Sequence, residues 1–286
     1  MKKLDRIMAA VDFSAPARAA FDRALALSGA HDAELLVVLA VPSDLPFKWE
    51  ARERIELIRS LRSAAHEAGV RFRFSVQQGD PARVILLHAR SRNVDLIVMG
   101  TNERSAFDRF RFGSVAETVA LQAAQPVLVV PAGDRTADAA AASFGNVVVA
   151  VDLSDSSRAA IDRALSITGE DSRITVVHVV QGMAHAGAHR YMYHLMEPEY
   201  QRQLARDARQ QLSALIPAAA GQSRKVHVRV VTGDPSAEIS RVASEAGAGL
   251  ILMGVTRRNA IGRRLFGSTT TRVMRDAGVP VLAIAA

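Results

Sequence analysis

Residues 9–27 read AAVDFSAPARAAFDRALAL, and residues 149–167 read VAVDLSDSSRAAIDRALSI. The second stretch repeats the first at an offset of 140, and the correspondence continues. QQGDPARVI at 77–85 returns as VTGDPSAEI at 231–239. The run from VMGT through FGSVAETV to QPVLVV returns as LMGV, FGSTTTRV and VPVLAI, now at an offset of 154. The change of offset puts a gain of about fourteen residues between the second and third strands of the second copy. The repeat covers nearly all of the 286 residues, so two copies of one domain are expected, at 1–135 and 145–286. Between them, PAGDRTADAAAASFG at 131–145 lacks apolar periodicity and reads as a linker.

Within the first copy, RIMAAV, LLVVLAV, RFRFSV, LIVMG and VLVV are β-rich runs. Between them, 16–29, 50–68, 82–92 and 115–124 carry Ala, Arg and Leu at helical spacing. Strands that are apolar on both faces and alternate with helices imply a mostly parallel sheet covered on both sides by right-handed βαβ crossovers. The last strand of each copy, PVLVVP and PVLAIAA, is apolar at every position yet falls at or near a sheet edge. A bare apolar edge templates aggregation. Either the two last strands meet and join the halves about a pseudo-two-fold, or each is a buried central strand.

Composition narrows the function classes. Apolar residues make up 49% and charged residues 23%, as in a globular protein, and no apolar run nears the ~18 residues that span a membrane. Asp5 and Arg6 interrupt the N-terminal apolar run, so no signal peptide is expected. The absence of cysteine excludes disulfides, thiolate zinc sites and cysteine nucleophiles, and fits a cytoplasmic location. The net charge of +7 is carried almost wholly by arginine. It suits either an anionic partner or an arginine-favouring proteome, so only clustered charge is informative.

Charge clusters after the fourth strand of each copy. GTNERSAFDRFRFGS at 100–114 and GVTRRNAIGRRLFGS at 254–268 each run from a glycine through twelve residues to Gly-Ser at a helix start. Ligands of open α/β sheets sit beyond the carboxyl ends of strands, and a helix N-terminus offers free N–H groups and partial positive charge to phosphate. Ser114 and Ser268 are equally good N-cap residues, and glycine equally marks a turn. Residues 101–112 balance to +1 from Arg104, Arg109 and Arg111 against Glu103 and Asp108. Residues 255–266 carry Arg257, Arg258, Arg263 and Arg264 with no acid, a balance of +4.

These features together, an aspartate after the first strand and a glycine-bearing loop that ends in Gly-Ser, resemble the universal stress protein family in both halves. The resemblance implies two tandem five-stranded parallel-sheet Rossmann-like domains of strand order 3-2-1-4-5. It also implies binding of ATP or another adenine nucleotide. Asp12 and Asp152 would lie near base or ribose, although both also suit a turn before a helix. Ala40 and Val179 would offer backbone groups to adenine. Gly100, Gly113, Ser114 and Val115 would surround phosphates in the first half, and Gly254, Gly267, Ser268 and Thr269 in the second. The chain departs from the family pattern where Glu103 and Arg257 replace its second glycine. Glu103 repels phosphate at short range, whereas Arg257 supplies a charge-assisted contact, so the second domain is the favoured site.

Other chemistries find less support. No G-x-x-x-x-G-K-[ST] or G-x-S-x-G is present, which argues against a P-loop NTPase and an α/β-hydrolase. His185, His189 and His194 lie at spacings of four and five with no thiolate, so no metal site is expected. Their Met- and Tyr-rich surroundings within 181–200 instead suggest an apolar cover or partner surface. Aromatic residues at 5% give no stacking platform for nucleic acid. The reading is a regulatory nucleotide binder rather than an enzyme, either a homo-oligomer or an intramolecular pseudo-dimer through its last strands. The alternatives are a protein-interaction module of the same fold without nucleotide, and a nucleotide hydrolase or transferase on that scaffold.

Overall fold

The computed structural model describes residues 3–43, 51–101, 113–131, 144–168, 172–181, 198–216, 225–255 and 268–285. Most of the linker, the three insertion histidines, Glu103, Arg257 and Gly267 lie outside the described residues.

The apolar runs of the first copy become β1 (Arg6–Val11), β2 (Glu34–Val41), β3 (Phe72–Gln78), β4 (Leu96–Gly100) and β5 (Val127–Val130). Between them run α1 (Ala15–His31), α2 (Ala51–Glu67), α3 (Pro81–Ser91) and α4 (Ser114–Gln122). The second copy repeats the series as β6 (Val147–Val151), α5 (Asp155–Ile167), β7 (Arg173–Val180), α6 (Pro198–Leu215) and β8 (Lys225–Thr232). It closes with α7 (Pro235–Glu245), β9 (Leu250–Val255), α8 (Ser268–Asp276) and β10 (Val281–Ala285).

Local chemistry sets the helix starts. Ser14 caps α1 by accepting from the Ala17 N–H, and Asp80 and Asp234 do the same for α3 and α7. Pro16, Pro81 and Pro235 stand in the first turns, where a missing N–H costs nothing. At the far end of α1, Asp32 turns into the left-handed region at φ 51° and stops the helix.

The strands form one ten-stranded sheet in the order β3-β2-β1-β4-β5-β10-β9-β6-β7-β8. Each half therefore has the order 3-2-1-4-5, with parallel neighbours throughout. The halves join where β5 meets β10 antiparallel, with Leu128 opposite Leu282, Val127 opposite Ala283 and Val129 opposite Val281. Leu128 and Leu282 are equivalent positions of the repeat, so the local two-fold passes between them. The two readings of the last strands thus merge: they pair with each other, and by pairing they become the centre of the sheet. The outer edges fall to β3 and β8, where ion pairs of Arg73 with Glu34 and Arg229 with Glu245 place charge. Charged edges resist further strand addition.

Alternate residues of each strand serve opposite faces. Ile7, Leu35, Val37, Leu39, Val98 and Leu128 pack under α1 and α2, and Met8, Leu36, Val38, Ile97 and Val127 under α3 and α4. The second half repeats the arrangement, with Ile161 and Leu212 from α5 and α6 on the first face and Ile239 and Val273 from α7 and α8 on the other. Each fully buried aliphatic side chain is worth about 1.5–3 kcal/mol, so the sheet is held from both sides. The linker reading needs one correction. Phe144 is 8% exposed and belongs to the core, with the Arg23 guanidinium 5.7 Å above its ring. A single apolar residue six positions after Asp138 carries no periodicity, so sequence pattern gives no sign of its burial.

Candidate functional site

Parallel strands bring their carboxyl ends to one edge. From β1 the chain moves outward to β2 and β3, then crosses back to β4 on the other side of β1. The connections after β1 and β4 therefore diverge, which is where doubly wound sheets make a crevice. Ala10 pairs with Met99, so Asp12 and Gly100 end neighbouring strands at that edge. Ala40 lies beside them near the end of β2, half-buried.

Asp12 is half-buried, and its Oδ1 accepts the Ser14 N–H at 2.9 Å. This is the turn role that its position allowed. Gly100 has a structural cause as well. A Cβ there would stand 2.5 Å from the Pro16 carbonyl oxygen and 2.7 Å from Pro16 Cβ, so α1 approaches β4 closely enough that only glycine fits. Thr101 follows, buried, with its N–H donated to the Val130 carbonyl at 3.1 Å.

The start of α4 decides against the capping alternative for Ser114. Gly113, at φ −58° and ψ 124°, occupies the cap, and among the described residues no side chain caps the helix. Ser114 is the first helical residue and is exposed. The first intrahelical bond is Glu117 N–H to the Gly113 carbonyl at 3.0 Å. The N–H groups of Ser114, Val115 and Ala116 thus precede the hydrogen-bonded ladder, in contrast to the side-chain caps of α1, α3 and α7.

In the second half the equivalent edge, on the opposite side of the sheet because β10 runs antiparallel to β5, carries Asp152 directly after β6 and Val179 and Gly254 near the ends of β7 and β9, and α8 opens at Ser268 with Thr269 half-buried behind it. Asp152 is more heavily engaged than Asp12. Its Oδ1 accepts the Ser154 N–H at 3.1 Å, the Ser154 hydroxyl at 2.5 Å and the Ser157 hydroxyl at 3.2 Å. Partial desolvation pushes its carboxyl up, but the hydrogen bonds from Ser154 and Ser157 outweigh this and hold it below the ordinary aspartate value. Leu153 between them adopts φ 62°, unusual for a branched side chain.

Two features of the edge were not singled out from sequence. His178 stands opposite Val151 in β7, where the first copy has Leu39 opposite Val11, and its Nδ1 lies 2.9 Å from the Val151 carbonyl. A carbonyl only accepts, so this nitrogen carries the proton. The lone histidine in RITVVHVV was the available signal. The Gly-Asp-Pro segments mark the repeat in sequence. In the structure, Gly79 and Gly233, at φ 146° and 154°, donate to the Val41 and Val180 carbonyls at the ends of β2 and β7.

The sequence profile of the universal stress protein family matches residues 3–131 and again 143–285. The chain belongs to the universal stress protein family. A universal stress protein of Methanocaldococcus jannaschii is 32% identical over 138 residues, covering 44% of this chain and 81% of the relative. A Staphylococcus aureus relative named for the same family is 33% identical over 144 residues, covering 46% of this chain and 87% of its own. Each of these relatives thus corresponds to about one half of the chain. Among solved structures, a universal stress protein from Archaeoglobus fulgidus superimposes with a TM-score of 0.71 at 20% identity, covering 99% of this chain and 97% of that one. A Pseudomonas aeruginosa protein follows at 0.67 and 16%, covering 99% and 92%. These two are similar in fold along the whole tandem. Among the described residues, no helix is long and apolar enough to cross a membrane.

Proposed function

We propose that this universal stress protein binds an adenine nucleotide, ATP or AMP, in one or both of two domains, 1–135 and 145–286, and acts as a cytoplasmic regulator of a stress response. The observation that carries the proposal is the start of α4. Among the described residues no side chain caps its first three N–H groups, and it starts at the edge where Asp12 follows β1 and Gly100 ends β4. Such a start fits an anion of phosphate size. Asp12 and Asp152 would then face base or ribose, Ala40 and Val179 would offer backbone to adenine, and Gly113, Ser114 and Val115 would meet phosphate. Gly254, Arg257, Gly267, Ser268 and Thr269 take the corresponding places in the second half. The charge balance of +4 against +1 in the two loops favours the second half for the phosphates.

Binding rather than turnover is the expected activity. Mass spectrometry of small molecules released from the purified protein should detect adenine nucleotide, and calorimetry should show it rebinding. Glu103→Gly should strengthen the first site, and Arg257→Glu should weaken the second. Hydrolysis should stay below a few turnovers per hour, far under the ~10 per second of a median enzyme. Steady turnover abolished by Asp12→Asn or Asp152→Asn would instead make it an enzyme. No binding at millimolar nucleotide would leave a protein-interaction module of the same fold.

A further inference from the structure

Helix α8 carries an arginine where α4 carries a threonine. Arg272 is the repeat equivalent of Thr118, whose hydroxyl bonds within its own helix to the Ser114 carbonyl at 2.7 Å. Arg272 instead leaves its helix. Its Nη1 lies 3.1 Å from Oδ2 of Asp234, the residue that caps α7 through its other oxygen, with the Ala237 N–H at 3.0 Å and the Ser236 hydroxyl at 2.6 Å. Asp234 follows Gly233, which donates to the carbonyl of Val180 at the end of β7. The ion pair therefore places the Arg272 guanidinium beside the start of α7, at the carboxyl edge of the second half. Helical spacing puts Arg272 over the first turn of α8, three and four residues after Thr269 and Ser268, and a long helical side chain leans back toward the N-terminus. Both constraints bring the same group to the same place. The Arg272 side chain remains 47% exposed.

We infer that Arg272 is a phosphate-contacting residue of the second half, positioned by Asp234, and that it makes this half selective for the phosphate chain of its ligand. The inference rests on the nucleotide-binding reading above. An arginine offers five N–H donors, and one contact to Asp234 leaves the others for an anion, so the phosphate need not displace the carboxylate. Asp234 partly neutralises the arginine but also removes the entropy cost of ordering its long side chain. The first half has a threonine, Thr118, at the equivalent position. Asp80 caps α3 there through the Arg83 N–H at 2.8 Å, opposite a threonine.

The test uses the full chain, isotopically labelled, with amide shifts of Thr269–Thr271 reporting the second half and those of Val115–Thr118 the first. ATP, tripolyphosphate and adenosine are titrated separately. Arg272→Thr should weaken ATP and tripolyphosphate at the second half by roughly tenfold, while adenosine and the first half are unaffected. Arg272→Lys should recover only part of the loss, and Asp234→Asn, which still caps α7, should give an intermediate loss. If ATP binds the second half and Arg272→Thr leaves its affinity unchanged, the arginine is a structural ion pair and the inference fails alone. If neither ATP nor tripolyphosphate shifts the second half of the wild-type protein, the nucleotide reading of that half fails and takes the inference with it.

Discussion

Replacing Gly100 with alanine would set a methyl group against the Pro16 backbone, which cannot turn aside as a side chain can. The expected cost is about 1–3 kcal/mol, the range for overpacking a filled site, read as a lower urea midpoint with an unchanged slope. A stability equal to wild type would show that α1 can slide along the sheet. At Asp152 the prediction concerns acid. A carboxyl held below its ordinary value in the fold contributes stability above about pH 4, and loses it as pH falls through the lower folded value. Wild type should therefore lose stability more steeply below about pH 4 than Asp152→Asn, which has nothing to protonate there. Parallel curves would mean that the Ser154 and Ser157 hydroxyls serve the neutral form equally well. Neither effect was legible residue by residue. Gly100 was visible as a glycine, but the atom that forbids a side chain belongs to a helix eighty-four positions earlier in the chain.

Helix α4 shows the same tension at the scale of an element. Its glycine cap is a weaker start than the Ser14 or Asp80 caps of its neighbours. Gly113 has φ −58°, open to any residue, so Gly113→Asp is sterically allowed at the backbone. That substitution should stabilise the helix by a few tenths of a kcal/mol while its carboxylate accepts from the first-turn N–H groups and repels phosphate. Thermal melting and nucleotide calorimetry should move in opposite directions. If both improve together, anions do not bind at this helix start. Sequence located the helix to within a residue or two, since Ala, Val and Leu recur at helical spacing. It leaves the role of Ser114 open because serine is the stronger capping residue in general, and only the backbone angles show which residue stands half outside the helix.

Across the whole molecule, the antiparallel seam of β5 and β10 makes two halves into one sheet. Leu128 is 0% exposed and Leu282 3%, so truncating either to alanine opens a cavity on the local two-fold. Leu128→Ala should cost about 2–5 kcal/mol and should loosen both halves, because the core under α1 and α5 runs across the seam. Hydrogen exchange should report faster opening in β10 as well as in β5. Faster exchange confined to β5 would show that the halves are stable independently.

The repeat, the alternation of strands and helices and the edge that gathers the candidate ligands were all in the sequence, because periodicity and chain order are local properties. Asp12, Ser114 and Ser268 could each be placed at the carboxyl edge of its own half, since each directly follows a strand or opens the next helix. What only the tertiary structure decided involved partners distant in the chain. These are the pairing of Leu128 with Leu282, the burial of Phe144 under Arg23, the bond from His178 to Val151 and the reach of Arg272 to Asp234. A hydrogen bond or an ion pair depends on where two side chains meet, and a pattern along one segment carries no information about the segment it will meet.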